Sequence, residues 1–219
     1  MFPGEILDPL NADELRAHLH CAVIGQQIIV LEQTASTNDA ILQLTTPQGA
    51  WVSGPPSGTD EGLVLFAEHQ TAGRGQRGNR WESPAGKGLW FSILLRPKIS
   101  VSDSGCLTIW AIETISDVIR MEFSLEPTIK LPNDIRIQGR KVAGVLTEMR
   151  AQENAPHLAI VGIGINVNQS SDDFPVDLQG RAISLAIALG RQVDRQKFAA
   201  VLLQTLDETY RAQFMPADF

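Results

Sequence analysis

Apolar positions in this chain fall into short runs separated by glycine- and proline-rich stretches, and their spacing separates strands from helices. Gln27 to Glu32, with Ile28-Ile29-Val30-Leu31 inside it, predicts a strand, as does Leu63 to Ala67. Gly88 to Arg96 is apolar on both faces, Leu89, Phe91, Ile93 and Leu95 standing against Trp90 and Leu94, the pattern of a central strand covered on both sides. His157 to Asn168 alternates instead. Ala159, Val161, Ile163, Ile165 and Val167 share one face, while Gly162, Gly164, Asn166 and Asn168 share the other. A strand that buries one face and offers glycine and asparagine on the other leaves room for a polar ligand; a glycine-rich bend is the alternative.

The helical period is clearest from Asp103 to Phe123, where Leu107, Trp110, Ala111, Thr114, Ile115, Val118 and Ile119 recur at i, i+3, i+4 and i+7. Ala12 to Cys21 predicts a short helix capped by Asn11 or Asp13, and a second helix follows a cap at Ser36 or Thr37. Ile183 to Leu189 and Asp194 to Phe214 predict closing helices. Pro127 to Asp134 predicts a short strand ended by Pro132; Ile135-Arg136-Ile137, the turn Gln138-Gly139 and Arg140 to Met149 then predict a hairpin. Thr45 to Gly62, rich in proline and glycine, predicts a long mobile loop. Strands and helices alternate irregularly, so the expected class is α+β, a mixed sheet packed with helices.

The 219 residues suffice for one sizeable core, with 43% hydrophobic and 20% charged positions. A net charge of −7 argues against a nucleic-acid partner. No apolar segment approaches the roughly 20 residues that span a bilayer, so no membrane partner is expected. Met1-Phe2-Pro3-Gly4-Glu5 lacks the features of a signal peptide, and Cys21 and Cys106 form no motif, so a reducing, cytoplasmic setting is expected. His18, His20 and Cys21 lie close together without a second ligand pair, which favours a structural or surface role over metal binding.

Against that acidic background, His69 to Trp81 carries three glycines, three arginines and no acidic residue. Glycine lets backbone amides approach a ligand, and arginine supplies forked donors for phosphate or carboxylate. Gly73-Arg74-Gly75-Gln76-Arg77-Gly78 satisfies the dinucleotide fingerprint literally. The fingerprint also needs a helix at the glycines and an acid about 20 positions on. Pro84, Gly86 and Gly88 follow instead, and Lys98 stands near the acid's place. Ser36-Thr37-Asn38-Asp39 is either a plain helix cap or a terminus that holds an anion or polar ring.

Four segments join that loop in a fixed order: Ser36-Thr37-Asn38, Lys130-Leu131-Pro132-Asn133-Asp134, Lys141 to Glu148, and Gly162 to Asn168. From about Ile28 to the last helix, the set closely resembles the catalytic domain of biotin protein ligases, of class II synthetase-like fold. The resemblance implies an enzyme that joins ATP and biotin into biotinyl-5′-adenylate. The biotinyl group then passes to a lysine of the biotin carboxyl carrier protein of acetyl-CoA carboxylase or a related carboxylase. Lys141 and Arg74 match the catalytic positions. Ser36, Thr37, Asn38, Gln70, Gly73, Arg74, Gly75, Gln76, Lys141, Gly144 and Gly164 match those around biotin. Arg77, Arg80, Trp81, Lys130, Asn133 and Asn166 match the ATP side, and Asp134 matches the Mg²⁺ ligand.

The chain departs from the family pattern where Gln76 and Asn79 replace arginines, and where Leu131 replaces tryptophan. Weaker retention of the adenylate is the expected result of fewer forked cations. Thirty-five residues precede Ser36, and the chain ends soon after the last helix. Residues 1–219 are therefore expected to form a single catalytic domain without an N-terminal winged helix-turn-helix, the C-terminal SH3-like domain being absent or truncated. Pairing of sheet edges in such ligases makes a homodimer an open expectation. The rival readings are a lipoate or octanoate ligase of the same fold and a non-catalytic biotin-binding protein.

Overall fold

The computed structural model describes residues 9–44, 61–151 and 157–215; most of the loop expected over Thr45–Gly62 lies outside them. Seven strands form one sheet: β1 (Ile28–Thr34), β2 (Val64–Gln70), β3 (Gly88–Leu95), β4 (Thr128–Lys130), β5 (Asp134–Ile137), β6 (Arg140–Arg150) and β7 (Leu158–Asn166). Their spatial order is β1-β2-β3-β7-β6-β5-β4. The β1–β2 pair is parallel and every other pair antiparallel, so the sheet is mixed and the class α+β, as the sequence predicts.

One face of the sheet carries the main core. Leu89, Phe91, Ile93 and Leu95 of β3 and Ala159, Val161, Ile163 and Ile165 of β7 pack under α3 (Gly105–Phe123) and α5 (Arg195–Phe214). The alternation read from β7 is therefore the alternation that folds. The other face is only partly covered. Helix α2 (Thr37–Leu44) sits over β2, β3 and β7, and its Ile41 joins Leu63, Leu65, Leu94, Leu158 and Ile160 in a second, smaller cluster.

Residues paired across antiparallel strands share a face. Register therefore lays out three rows on the α2 side: Leu94–Ile160–Glu148, then Ser92–Gly162–Leu146, then Trp90–Gly164–Gly144. Along β7 itself bulk falls away, from Ile160 under α2 to Gly162 and Gly164, against which Asn38 and Trp81 rest.

Several element boundaries differ from the sequence reading. Helix α1 (Ala12–His18) stops short of Cys21. Its N-cap is Asn11, whose Oδ1 accepts from Asp13 and Glu14 amides at 2.9 and 3.1 Å. The chain beyond it is captured by α5: the buried Asp207 carboxylate accepts the amides of Ala22, Val23 and Ile24 at 2.8–3.0 Å. Hydrogen bonds to a charged group are worth about 1.5–3 kcal/mol, more than continuing a frayed helix would return. The short strand expected to end at Pro132 folds as β4, Leu131–Asn133 turns, and Asp134 opens β5 one residue before the expected hairpin. Helix α4 (Leu185–Leu189) starts after a Ser184 cap rather than at Ile183.

Candidate functional site

Strand β2 feeds directly into the glycine-arginine stretch, which folds back on itself as a small hairpin. The Trp81 amide donates to the Gly73 carbonyl at 2.9 Å and the Gly75 amide to that of Asn79 at 2.7 Å. The close approach demands glycine: a Cβ on Gly73 would lie 2.5 Å from the Trp81 carbonyl oxygen. The tip turns at Gln76–Gly78 with Arg77 (φ 58°) and Gly78 (φ 76°) left-handed. No α-helix opens at these glycines, which removes the dinucleotide reading.

The hairpin closes over a polar chain that runs between three elements. Ser83 Oγ accepts from Gln70 Nε2 at 2.9 Å, and Gln70 Oε1 accepts from the Thr37 amide at 2.8 Å and its hydroxyl at 3.2 Å. Ser92 Oγ lies 2.8 Å from Thr37 Oγ1 and donates to Asn38 Oδ1 at 2.6 Å. Asn38 Nδ2 donates to Glu148 Oε2 at 2.7 Å. Glu148 takes the fork of Arg74 at 3.2 and 2.8 Å, and Arg74 reaches Asp39 at 2.7 Å. Thr37, Asn38 and Gln70, placed at the ligand by sequence, thus spend much of their hydrogen-bonding capacity on one another. Ser36, only 3% exposed, lines the same cleft.

Below this network lies a cleft with about 430 Å³ of empty space, lined by Ser36, Asn38, Arg74, Trp81, Lys141 and the β7 glycines, among others. Its floor is main chain. A Cβ on Gly162 would lie 2.2 Å from Asn38 Oδ1, and one on Gly164 2.5 Å from the Trp81 ring. Beside it opens a second cavity of about 1310 Å³, solvent-facing space included, lined by Arg80, Asp134, Arg136, Asn166 and the segment Phe174 to Ala182. Trp81 and Lys141 belong to both, and so form the shared wall.

Lys141 Nζ is 2.5 Å from Asp134 Oδ1 and 5.0 Å from the Trp81 ring centroid, a cation–π distance. Trp81 Nε1 is buried without a partner, an omission that costs about 1–3 kcal/mol until an acceptor arrives. Asn133 sends its side-chain amide to Val145 O at 2.9 Å and takes the Val145 amide on its own carbonyl, so it braces β6 while lining the first cleft. Asn166 is buried at 4%, donating to Ile183 O and accepting from Gln169; it ties the Ala182 segment to the sheet beside Lys141.

Not every predicted residue reaches the site. Gln76 and Arg77 sit at the hairpin tip and line neither cavity, and Lys130 is exposed on β4, beside Asp134 in register but outside both. Ser83, Ser92, Arg136 and Arg181 belong to the site or its support and carry no sequence signal of their own, while Glu148 and Asp39 fall inside the recognised segments without being singled out as site residues. The second cavity offers Asp134, Glu82 and Asp177 as carboxylates. Among the described residues no three metal-ligating side chains converge. The donor set fits an ion such as Mg²⁺, which keeps water and takes one or two carboxylates plus substrate phosphates. Among the described residues no helix is long and apolar enough to cross a membrane.

A model of the biotin/lipoate A/B protein ligase family matches residues 32–166. The bifunctional ligase/repressor BirA of Bacillus spizizenii is 37% identical over 202 residues, 92% of this chain and 59% of that protein. The biotin–[acetyl-CoA-carboxylase] ligase of Mycobacterium tuberculosis is 32% identical over 205 residues, 91% of this chain and 70% of that protein. Among solved structures, the biotin protein ligase from Aquifex aeolicus in complex with biotin and ATP matches with a TM-score of 0.69 at 29% identity. That match covers 87% of this chain and 73% of that one. The chain spans about three fifths of the length of the BirA relatives.

Proposed function

Since this chain belongs to the biotin/lipoate A/B protein ligase family, we propose that it is a biotin protein ligase acting on a biotin carboxyl carrier protein. In the first step a biotin carboxylate oxygen attacks the α-phosphorus of ATP; the bond to the β-phosphate oxygen breaks and pyrophosphate leaves with the electron pair. In the second step a carrier lysine amine attacks the acyl carbon, and AMP leaves. The carrier of acetyl-CoA carboxylase or a related carboxylase is the proposed acceptor.

The observation that carries this reading is the position of Lys141, whose ammonium stands in the wall common to the two cavities. Two anions must meet for the first step, and a cation placed between their chambers lowers the repulsion as negative charge builds at the point of contact. The smaller, glycine-floored cleft suits the bicyclic head of biotin, with Ser36 and the network behind it supplying polar contacts. The larger cavity takes the nucleotide, with Trp81 on one side and Arg80, Arg136 and Arg181 around it. Asp134, released when Lys141 turns to substrate, would hold Mg²⁺, which supplies charge neutralisation at the phosphates. With Gln76 at the loop tip, the hairpin offers fewer cations to hold the adenylate than its length suggests.

The test is biotin-dependent exchange of labelled pyrophosphate into ATP. Wild type is expected to exchange with biotin and not with lipoate, and Lys141→Ala to lose about a thousandfold in rate. Exchange with lipoate alone would replace this reading by the lipoate one. Biotin binding without exchange would leave a binding protein.

A further inference from the structure

Glu148 closes the Lys141 to Glu148 segment and stands at the junction of the polar network. Its two oxygens face two different elements: Oε2 accepts from Asn38 in the first turn of α2, and both oxygens accept the guanidinium of Arg74 in the hairpin. Asp39, one residue along α2, takes Arg74 from the other side at 2.7 Å. The floor lies directly below, since Asn38 Oδ1 is the atom nearest a Cβ built on Gly162. Removing Glu148 therefore frees two walls of the cleft while leaving its floor intact.

We propose that Glu148 is a positioning residue for biotin, fixing the Asn38 amide and docking the glycine-arginine hairpin on α2 through Arg74; the inference rests on the function proposed above. The ion pairs are half-exposed, with side-chain accessibilities of 40% for Arg74, 37% for Glu148 and 49% for Asp39. Pairs of that exposure stabilise a fold only slightly, so the consequence falls on geometry rather than on folding. Fixing the amide matters because Asn38 accepts from Ser92 on its oxygen and donates to Glu148 at 2.7 Å and to the Leu146 carbonyl at 3.4 Å; without the Glu148 carboxylate the longer bond to Leu146 is left to orient its nitrogen. Glu148, Asn38, Arg74 and Asp39 lie outside the nucleotide cavity, which the hairpin reaches through Asn79, Arg80 and Trp81, so the larger effect falls on the biotin side.

The test uses Glu148→Gln in the full chain, which keeps an acceptor for Asn38 and removes the charged fork to Arg74. In pyrophosphate exchange the KM for biotin is expected to rise about tenfold, with kcat and the KM for ATP changed less than about twofold. Trypsin acting on the ligand-free protein is expected to cut after Arg74 about tenfold faster, because the hairpin opens without global unfolding. Glu148→Asp, too short to serve both partners, is expected to fall between wild type and Gln. Unchanged biotin KM together with unchanged proteolysis would overturn the proposal, as would equal rises in both KM values. If Glu148→Gln lowers the melting temperature by more than about 5 °C, the milder Glu148→Asp carries the comparison of biotin KM and of cleavage after Arg74. Should wild type show no biotin-dependent exchange, the function fails, while the proteolysis comparison still judges the docking of the hairpin.

Discussion

The two faces of β7 share a backbone and differ in nearly everything else. On one, Ala159, Val161, Ile163 and Ile165 are at most 3% exposed and pack against α3 and α5. On the other, Gly162 and Gly164 have no side chain, and Asn38 and Trp81 rest within contact distance of the peptide itself. The first face is filled to make a fold; the second is stripped to glycine so that Asn38 and Trp81 close on the strand and wall a cleft. A methyl group removed from the first costs stability, whereas a methyl group added to the second costs ligand binding.

Substitutions that separate those two costs test the division. The largest effect is expected for Gly162→Val, whose Cβ would fall 2.2 Å from Asn38 Oδ1. Biotin affinity measured by calorimetry should drop by more than about a hundredfold, since overpacking pushes α2 and closes the cleft. Gly164→Ala, whose Cβ would fall 2.5 Å from the Trp81 ring, is expected to lower affinity for biotin and ATP by about tenfold each. On the opposite face, Ile165→Val should cost about 1 kcal/mol and lower the melting temperature by about 2–4 °C, with both KM values unchanged. A Gly162 variant that lost stability and kept its affinity would erase the distinction between the faces. Smallest of all, Arg77→Ala and Lys130→Ala, both outside the cavities, should each alter exchange by less than about twofold.

A separate chemical check comes from the helix-covered side. Burial, with the Asp207 charge adding to it, raises the Cys21 thiol from 9.0 to about 12. Thiolate is the reactive form, so alkylation by iodoacetamide at pH 8 should run about a thousandfold slower at Cys21 in the folded chain than after denaturation. A comparable rate in both states would show that the segment joining α1 to β1 is not held by Asp207.

The fold was legible where one residue type repeats at a fixed step. The β7 alternation, the doubly apolar β3 and the heptad-like spacing of α3 each encode burial locally, and each element folds within two residues of its expected limits. The local pattern extends α1 to Cys21, whereas the carboxylate that holds the chain beyond His18 is Asp207, far along the chain. The same distance hid the partners of Glu148. It lies 110 positions from Asn38 and 74 from Arg74, and on β6 it reads as an ordinary half-exposed charge. Conversely, Gln76 and Arg77 were assigned to ligands by their place in a motif, while the turn geometry of Gln76–Gly78 carries them outward. Motif position located the loop; only the hairpin's pairing decided which of its side chains face inward.

A wall used by two rooms cannot be moved for one alone. Trp81 and Lys141 bound both cavities, so a ligand that shifts either one in its own chamber changes the energy of occupying the other. Whatever factor biotin imposes on the affinity for nucleotide, nucleotide must impose on the affinity for biotin, since both routes lead to the same doubly loaded state. Coupling of this kind needs no distant pathway, only one indole and one ammonium with two sets of neighbours.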